Sequence, residues 1–161
     1  KNINLRENFL KSFLFDSTKI KWYAFAFLFY PILYALGFVF GKLFNYETSE
    51  SLFTPDTYFI PAFLLTFFFT GAPEEFGWRG FFQKELQKKY NPLITSILIA
   101  LVWSTWHIPL HYNGFYSHDF DFLDRLLISF QLGLLFTWCY NKSGYSILTV
   151  MILHTMNNNV G

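Results

Sequence analysis

Long apolar runs separated by short polar segments make up most of the chain. The runs cover residues 22–41, 58–82, 93–107, 126–140 and a last stretch that begins near residue 145. A helix rises ~1.5 Å per residue, so about 20 apolar residues span a bilayer core of roughly 30 Å. The pattern predicts an all-α fold, a polytopic membrane helical bundle in which each run forms a helix.

The composition agrees with a membrane location. Apolar residues make up 53% of the chain and charged residues only 14%, which is too little charge to cover a soluble globule of this size. We therefore expect membrane lipid as a partner. The formal net charge is +1, and the basic residues form no binding face, which argues against a nucleic-acid partner. Cys139 is the only cysteine, so neither an internal disulfide nor a cysteine metal cluster can form.

The distribution of charge among the polar segments predicts the topology. Basic residues gather in segments 1–21 and 84–89 and at Lys142, whereas segments 42–56 and 109–124 are acidic. The positive-inside rule then places the N-terminus in the cytoplasm. We expect one membrane-embedded domain over residues 1–161. Because the sequence begins without Met, we expect it to be a fragment of a longer chain.

Three ionisable side chains interrupt the second apolar run, in the stretch EEFGWR at residues 74–79. Each charge costs about 2.5 kcal/mol or more in a bilayer and is mostly kept for function. Glu75 and Arg79 share a helix face and are predicted to pair. Glu74 lies about 100° round the axis without an obvious partner, which suits a general base. The alternative is that Glu74, Glu75 and Arg79 form one structural ion cluster between helices.

A break in the second helix is predicted just before these charges. The tripeptide Gly71-Ala72-Pro73 precedes Glu74. Proline lacks a backbone donor and clashes with the preceding turn, so the helix should kink or be interrupted there. The opened turn would lie beside Glu74, where a substrate can reach it.

Two further apolar runs carry polar side chains at a matching depth. Glu74 lies seventeen residues before the turn at residues 91–92, and His107 lies sixteen residues after residue 91. In an antiparallel hairpin both side chains would therefore lie roughly 25 Å from the turn. His154 and Asn158 share one face of the last helix. A single intramembrane histidine is more often structural, but three polar helices at one depth favour a functional site.

Three short motifs, in a fixed order on successive membrane helices, carry a resemblance to a known family. They are Glu-Glu-x-x-x-Arg, aromatic-x-x-x-His and His-x-x-x-Asn, formed here by Glu74, Glu75 and Arg79, by Trp103 and His107, and by His154 and Asn158. The set resembles the CAAX protease and bacteriocin-processing family of intramembrane endopeptidases, also called the Abi family. The resemblance covers residues 58–160, and Trp103 stands where many members have Phe.

The resemblance implies a glutamate-type endopeptidase. In the family the first glutamate and the first histidine activate a water, and the second histidine with the asparagine stabilises the oxyanion. The catalytic set is then Glu74, His107, His154 and Asn158, and the supporting set is Glu75, Arg79 and Trp103. Family members trim prenylated C-terminal tails or, in prokaryotes, are linked to bacteriocin maturation or immunity. We therefore expect a peptide or membrane-protein substrate and a location in a prokaryotic cell membrane.

A metal-dependent mechanism is the alternative within the family, which has long been labelled metalloprotease. Glu74, His107 and His154 would then ligate a divalent ion such as zinc. The chain has no His-Glu-x-x-His sequence, and we expect a metal-free reaction that requires no cofactor. It also lacks a Gly-x-Ser-x-Gly nucleophile turn, so a serine protease is not expected.

Two other classes of function compete with a protease. Intramembrane Glu, His and Arg side chains also line ion pathways, so a membrane transporter or proton relay is the main alternative. Such a protein should show inverted repeats and paired broken helices, whereas this sequence has one Gly-Pro interruption. A non-catalytic membrane scaffold that binds a partner is the third hypothesis.

Overall fold

The computed structural model describes residue 7 and residues 9–46, 58–112 and 122–160 of the chain. All regular elements in this part are helical, which confirms the all-α prediction. The helices are α1 (Ile20–Leu43), α2 (Phe59–Phe69), α3 (Gly71–Gly77), α4 (Gln83–Leu86), α5 (Pro92–Trp106), α6 (Ile108–Tyr112), α7 (Phe122–Lys142) and α8 (Ile147–Val160). A 3₁₀ turn (Ser17–Lys19) precedes α1, and a π-helical turn (Trp78–Phe82) joins α3 to α4.

Apolar helices of membrane-spanning length confirm that this is an integral membrane protein. Among the described residues, the stretches Ser17–Leu43, Pro92–Leu110 and Phe122–Lys142 are long and apolar enough to cross a bilayer. Helix α1 carries large exposed apolar side chains along its length, such as Phe27, Leu36 and Leu43. A surface of this kind is costly in water but suits contact with lipid.

The predicted break in the second span is confirmed, but it lies before the proline. Helix α2 ends at Phe69, and Thr70 leaves helical geometry with φ −122° and ψ −107°. Helix α3 then begins at Gly71, so Pro73 lies in its first turn. The first backbone N–H groups of a helix have no partner within it, so proline costs little there. The chain is interrupted at Thr70, and Pro73 is tolerated because of that interruption.

The remaining predicted spans agree with the helices found. Segments 22–41, 93–107 and 126–140 lie within or next to α1, α5 and α7. The last span is α8, which has 14 residues in the structure. The side chain of Asn91 caps α5 by accepting the backbone N–H of Ile94 at 2.9 Å, and Pro92 occupies the first helical position. Of the charged and titratable residues in the two predicted outer loops, Asp124 lies in the first turn of α7. Those outside the described residues are Glu47, Glu50, Asp56, His118, Asp119 and Asp121.

The chain divides into two compact units, and the first comprises Lys1–Phe76 with Ser146–Gly161. Within it, α1 and α2 both pack against α8. Asp16 precedes the 3₁₀ turn, and its carboxylate accepts hydrogen bonds from the hydroxyl and the backbone N–H of Thr18. Both bonds lower the pKa of this carboxyl, and the bond from the hydroxyl has the larger effect. The carbonyl oxygen of Ser12 accepts the backbone N–H of Ile147 at 2.9 Å and ties this segment to the start of α8.

The second unit, Gly77–Tyr145, is built on the packing of α5 against α7. Gly133 allows a close approach there, since a Cβ at this position would lie 3.1 Å from the carbonyl oxygen of Ser96. The buried apolar side chains of this unit are Ile99, Ala100, Trp103, Phe136, Cys139 and Tyr140. The prediction of one domain over residues 1–161 stays a prediction.

Candidate active site

Glu75 and His154 are in direct contact within the first unit. Oε1 of Glu75 lies 2.8 Å from Nδ1 of His154, and the two side chains are 0% and 5% exposed. If the carboxyl of Glu75 is ionised, it can only accept a hydrogen bond, and Nδ1 of the imidazole then carries the proton in this contact. The other ring nitrogen, Nε2, is then the one that determines the chemistry of His154.

Gly71 lies against the polar side chains of α8. A Cβ added to Gly71 would overlap the amide nitrogen of Asn158 and would lie 2.9 Å from Nε2 of His154. Both side chains therefore occupy the space that any other residue at position 71 would fill. The sequence placed His154 and Asn158 on one helix face, and the structure brings that face against the start of α3.

Two pairs of residues thus meet across α3 and α8. Gly71 and Glu75 are four positions apart on one helix, as His154 and Asn158 are on the other, so each pair shares a face. His154 lies between Glu75, which contacts Nδ1, and Gly71, which faces Nε2. Glu74, the predicted base, is partly buried.

Trp103 and His107 are in contact in the second unit, as the sequence suggested. Nδ1 of His107 lies 2.7 Å from the carbonyl oxygen of Trp103, and the two ring centroids are 5.9 Å apart. A carbonyl oxygen can only accept, so Nδ1 carries a proton. In the neutral ring Nε2 is then the acceptor, which is the form of histidine that can take a hydrogen bond from water.

Arg79 is fully buried in the same unit and lies over an aromatic ring. Its guanidinium carbon is 5.5 Å from the centroid of Phe136. Phe136 also contacts Trp103, with 6.0 Å between centroids, and Trp103 in turn contacts Trp78 at 6.3 Å. The rings of Phe136 and Trp103 therefore connect the Arg79 guanidinium to the imidazole of His107.

The structure groups the predicted residues in two sets. The first unit holds Glu74, Glu75, His154 and Asn158, and the second holds Arg79, Trp103 and His107. The predicted pairings of Glu75 with Arg79 and of Glu74 with His107 join residues of different units, and they stay predictions. The pairing that the structure provides for Glu75, with His154, was not predicted.

Sequence reasoning also missed two residues that shape these sets. Gly71 was noticed only as part of the helix break, although a glycine beside such a break can indicate a close approach by another element. Phe136 lies in an apolar run where the pattern distinguishes it from none of its neighbours, so no sequence signal could have selected it.

The suitability of these residues for a metal ion can be tested on their contacts. Among the residues that the structure describes, no three His, Cys, Asp or Glu side chains are grouped as ligands of one ion. Nδ1 of His154 contacts Glu75, and Nδ1 of His107 contacts a backbone carbonyl. A carboxylate or a backbone carbonyl is also the usual partner of the second ring nitrogen in a metal-bound histidine. These contacts therefore do not decide between the two mechanisms, and both the metal-free reaction and the alternative with Glu74, His107 and His154 as ligands stay predictions.

Comparison with known proteins assigns the family. Residues 56–160 match the model of the type II CAAX prenyl endopeptidase Rce1-like family. The chain belongs to this family. The matched region contains every candidate site residue from Glu74 to Asn158, and it agrees closely with the region of resemblance at residues 58–160.

A similar protein comes from Methanococcus maripaludis. This protein, named CAAX prenyl protease 2, is 28% identical over 170 aligned residues, which include 98% of the present chain. The chain covers 62% of the length of that relative. It therefore corresponds to less than two thirds of that protein, and that part includes the family region.

Proposed function

We propose that this chain forms the catalytic region of an intramembrane endopeptidase that hydrolyses a peptide bond with a water activated by Glu74. In this proposal His154 and Asn158 stabilise the oxyanion, and His107 assists Glu74 in orienting the water. Membership of the Rce1-like family supports the reaction class. The roles of the individual residues are those implied by the motif resemblance.

The observation that carries the proposal is the shared position of His154 and Asn158 beside Gly71, with Glu75 behind the imidazole. Donors fixed in place before reaction are worth more than mobile ones, because they need no reorganisation as charge develops. If Nδ1 donates to Glu75 while Nε2 donates to an oxyanion, the ring must carry both protons. The buried carboxylate of Glu75 supplies the counter-charge for that imidazolium.

In the proposed reaction Glu74 acts first as a base and then as an acid. Glu74 takes a proton from water as the water oxygen bonds to the peptide carbonyl carbon. The carbonyl oxygen becomes an oxyanion that accepts hydrogen bonds from His154 and Asn158. The proton on Glu74 then passes to the peptide nitrogen, the C–N bond breaks, and a carboxylic acid and an amine are released. The acid then gives its remaining proton to the amine, which leaves a carboxylate and an ammonium group.

The remaining residues have supporting roles in this scheme. The carbonyl of Trp103 holds His107 in the tautomer whose Nε2 accepts a hydrogen bond, which orients a water without protonating it. Arg79, buried over Phe136, fixes the helical segment that follows the glutamates. Glu75 orients His154.

We further propose that the substrate is a membrane-associated peptide with a prenylated C-terminal cysteine. The name of the Methanococcus maripaludis relative, CAAX prenyl protease 2, supports this class. A prenyl chain partitions into the bilayer, since each buried CH₂ contributes about 0.8 kcal/mol. It would therefore bring a soluble peptide to residues that lie within the membrane.

The proposal is tested by peptide cleavage in liposomes. Purified parent protein is reconstituted with a farnesylated CAAX peptide and, separately, with the same peptide lacking the lipid, and products are identified by mass spectrometry. We expect cleavage of the farnesylated peptide, unchanged by a chelator. We also expect loss of about 10² to 10³ in kcat for Asn158→Ala, the usual effect of removing an oxyanion donor.

The matched control is Asn159→Ala, because the Asn159 amide donates to the carbonyl of Thr155 at 2.8 Å in its own helix. This variant should cleave at nearly the parental rate. Equal activity of the Asn158 and Asn159 variants would contradict the oxyanion role. Loss of parental activity on chelation, with recovery on adding zinc, would favour the metal-dependent alternative.

A further inference from the structure

Gly71 stands out among the glycines because of what surrounds it. The three nearest atoms to a Cβ built there all belong to the side chains of Asn158 and His154. At Gly133 the nearest atom from another element is a backbone carbonyl oxygen. At Gly77 no described atom lies within 4 Å, apart from its chain neighbours and its own helix backbone. Of these three glycines, Gly71 is therefore the one where the proposed oxyanion donors occupy the space of a Cβ.

We propose that Gly71 is a positioning residue, whose lack of a side chain seats the His154 imidazole and the Asn158 amide where they can act together on one oxygen. This inference rests on the proposed function, because it gives Gly71 a role in placing those two donors. Gly71 does not itself need to contact the substrate.

The local geometry shows why both donors depend on this position. His154 is held on one side by Glu75, whose Oε1 lies 2.8 Å from Nδ1. A methyl group at position 71 would press on the opposite side of the ring, at Nε2 and Cδ2, 2.9 and 3.0 Å away. The ring would then have to turn away from Glu75 or away from Asn158. The Asn158 amide would be displaced at the same time, because it overlaps the same methyl group.

The same geometry predicts that the fold would tolerate such a methyl group. The atoms in its way are the ends of side chains, which can rotate without moving a helix backbone. Alanine also forms helices better than glycine. Gly71→Ala should therefore alter the site more than the stability of the protein, which separates positioning from a structural role.

The test uses the whole protein with three glycine variants. Gly71→Ala is compared with Gly77→Ala, where the methyl group meets open space, and with Gly133→Ala, where it lies 3.1 Å from backbone. We measure kcat and KM on the farnesylated peptide and the melting temperature in detergent. The ¹⁵N imidazole resonances of His154, assigned by their absence in His154→Gln, report the position of the ring.

For Gly71→Ala we expect kcat to fall about 10²-fold, the usual effect of displacing a catalytic group by ~1 Å. KM and the melting temperature should stay close to the parent, and the His154 resonances should shift. Gly77→Ala should match the parent in all measurements, and Gly133→Ala should lower the melting temperature. The double variant Gly71→Ala with Asn158→Ala should lose less than the product of the two single effects, because both act through Asn158.

Parental kcat with unshifted His154 resonances in Gly71→Ala would overturn the inference. A loss of activity explained entirely by loss of folded protein would also overturn it. If the parent cleaves no peptide, the proposed function fails, whereas a His154 shift in Gly71→Ala but not in Gly77→Ala still supports the positioning role.

Discussion

The carboxylate of Glu75 lies 2.8 Å from Nδ1 of His154, and this contact joins residues 79 positions apart in sequence. It determines which face of the imidazole is held and which nitrogen lies beside Gly71. We propose that the two adjacent glutamates have different roles. In our account Glu74 handles the proton of water, while Glu75 holds and balances the histidine that receives the developing charge.

Replacing Glu75 should affect both folding and catalysis. Glu75→Ala leaves a buried histidine without its acceptor, and breaking a buried charged pair costs about 3 to 5 kcal/mol in the free energy of unfolding. Glu75→Gln keeps an oxygen acceptor but removes the charge, so kcat should fall about 10- to 100-fold, the equivalent of one charged hydrogen bond. Thermal melts and peptide cleavage measure the two effects.

The matched control is Glu85→Gln, since Glu85 is 47% exposed and contacts Lys88 on the surface. This exchange should leave melting and cleavage close to the parent. A parental melting temperature for Glu75→Ala would show that the contact of Glu75 with His154 does not stabilise the fold.

Arg79 should be essential for the stability of the second unit. It is fully buried and lies 5.5 Å from the centroid of Phe136. Truncating a large buried side chain costs about 2 to 5 kcal/mol, so Arg79→Ala should lower both the yield of folded protein and the melting temperature. Arg79→Lys keeps the charge but loses the planar contact with the ring, and should recover only part of the loss. A parental melting temperature for Arg79→Lys would show that the charge alone stabilises this unit and that the contact with the Phe136 ring does not contribute.

The topology can be tested by cysteine labelling. We propose a cytoplasmic N-terminus from the charge distribution, so a cysteine at position 88 should be protected in intact cells, whereas cysteines at positions 50 and 119 should react from outside. The parent for these variants is Cys139→Ala, since Cys139 is the only cysteine of the chain. Labelling at position 88 from outside would show that the orientation is the opposite one. It would also contradict the prediction that Glu74 and His107 lie at the same depth from a cytoplasmic turn.

Local sequence rules predicted the helices well because their causes are local. Apolar length located α1, α5 and α7, and Asn91-Pro92 marked the start of α5 through a cap and a proline at the first helical position. The break before Glu74 was predicted from Pro73, although the structure puts it at Thr70. Proline was a correct signal for an interruption, but the rule does not say on which side the helix ends.

The contact of Glu75 with His154 could not be predicted from spacing, because it joins residues 79 positions apart. The expected pair of Glu75 with Arg79 stays a prediction, because the two residues belong to different units. The contact with His154 depends on the packing of α3 against α8 and on the absence of a side chain at Gly71. Neither feature leaves a periodic pattern in the sequence. In contrast, Glu74, Glu75 and Arg79 could be selected as charges in an apolar run.

The central claim is that Glu74 is the base that activates water, and the rate of peptide cleavage by Glu74→Gln tests it most directly. Glutamine keeps the volume and hydrogen bonding of the side chain but cannot accept the proton, so the farnesylated peptide should still bind. The single-turnover rate should fall by a factor of ~10² to 10⁴, the usual contribution of a general base. Glu85→Gln should retain the parental rate. Cleavage by Glu74→Gln at the parental rate would contradict the account.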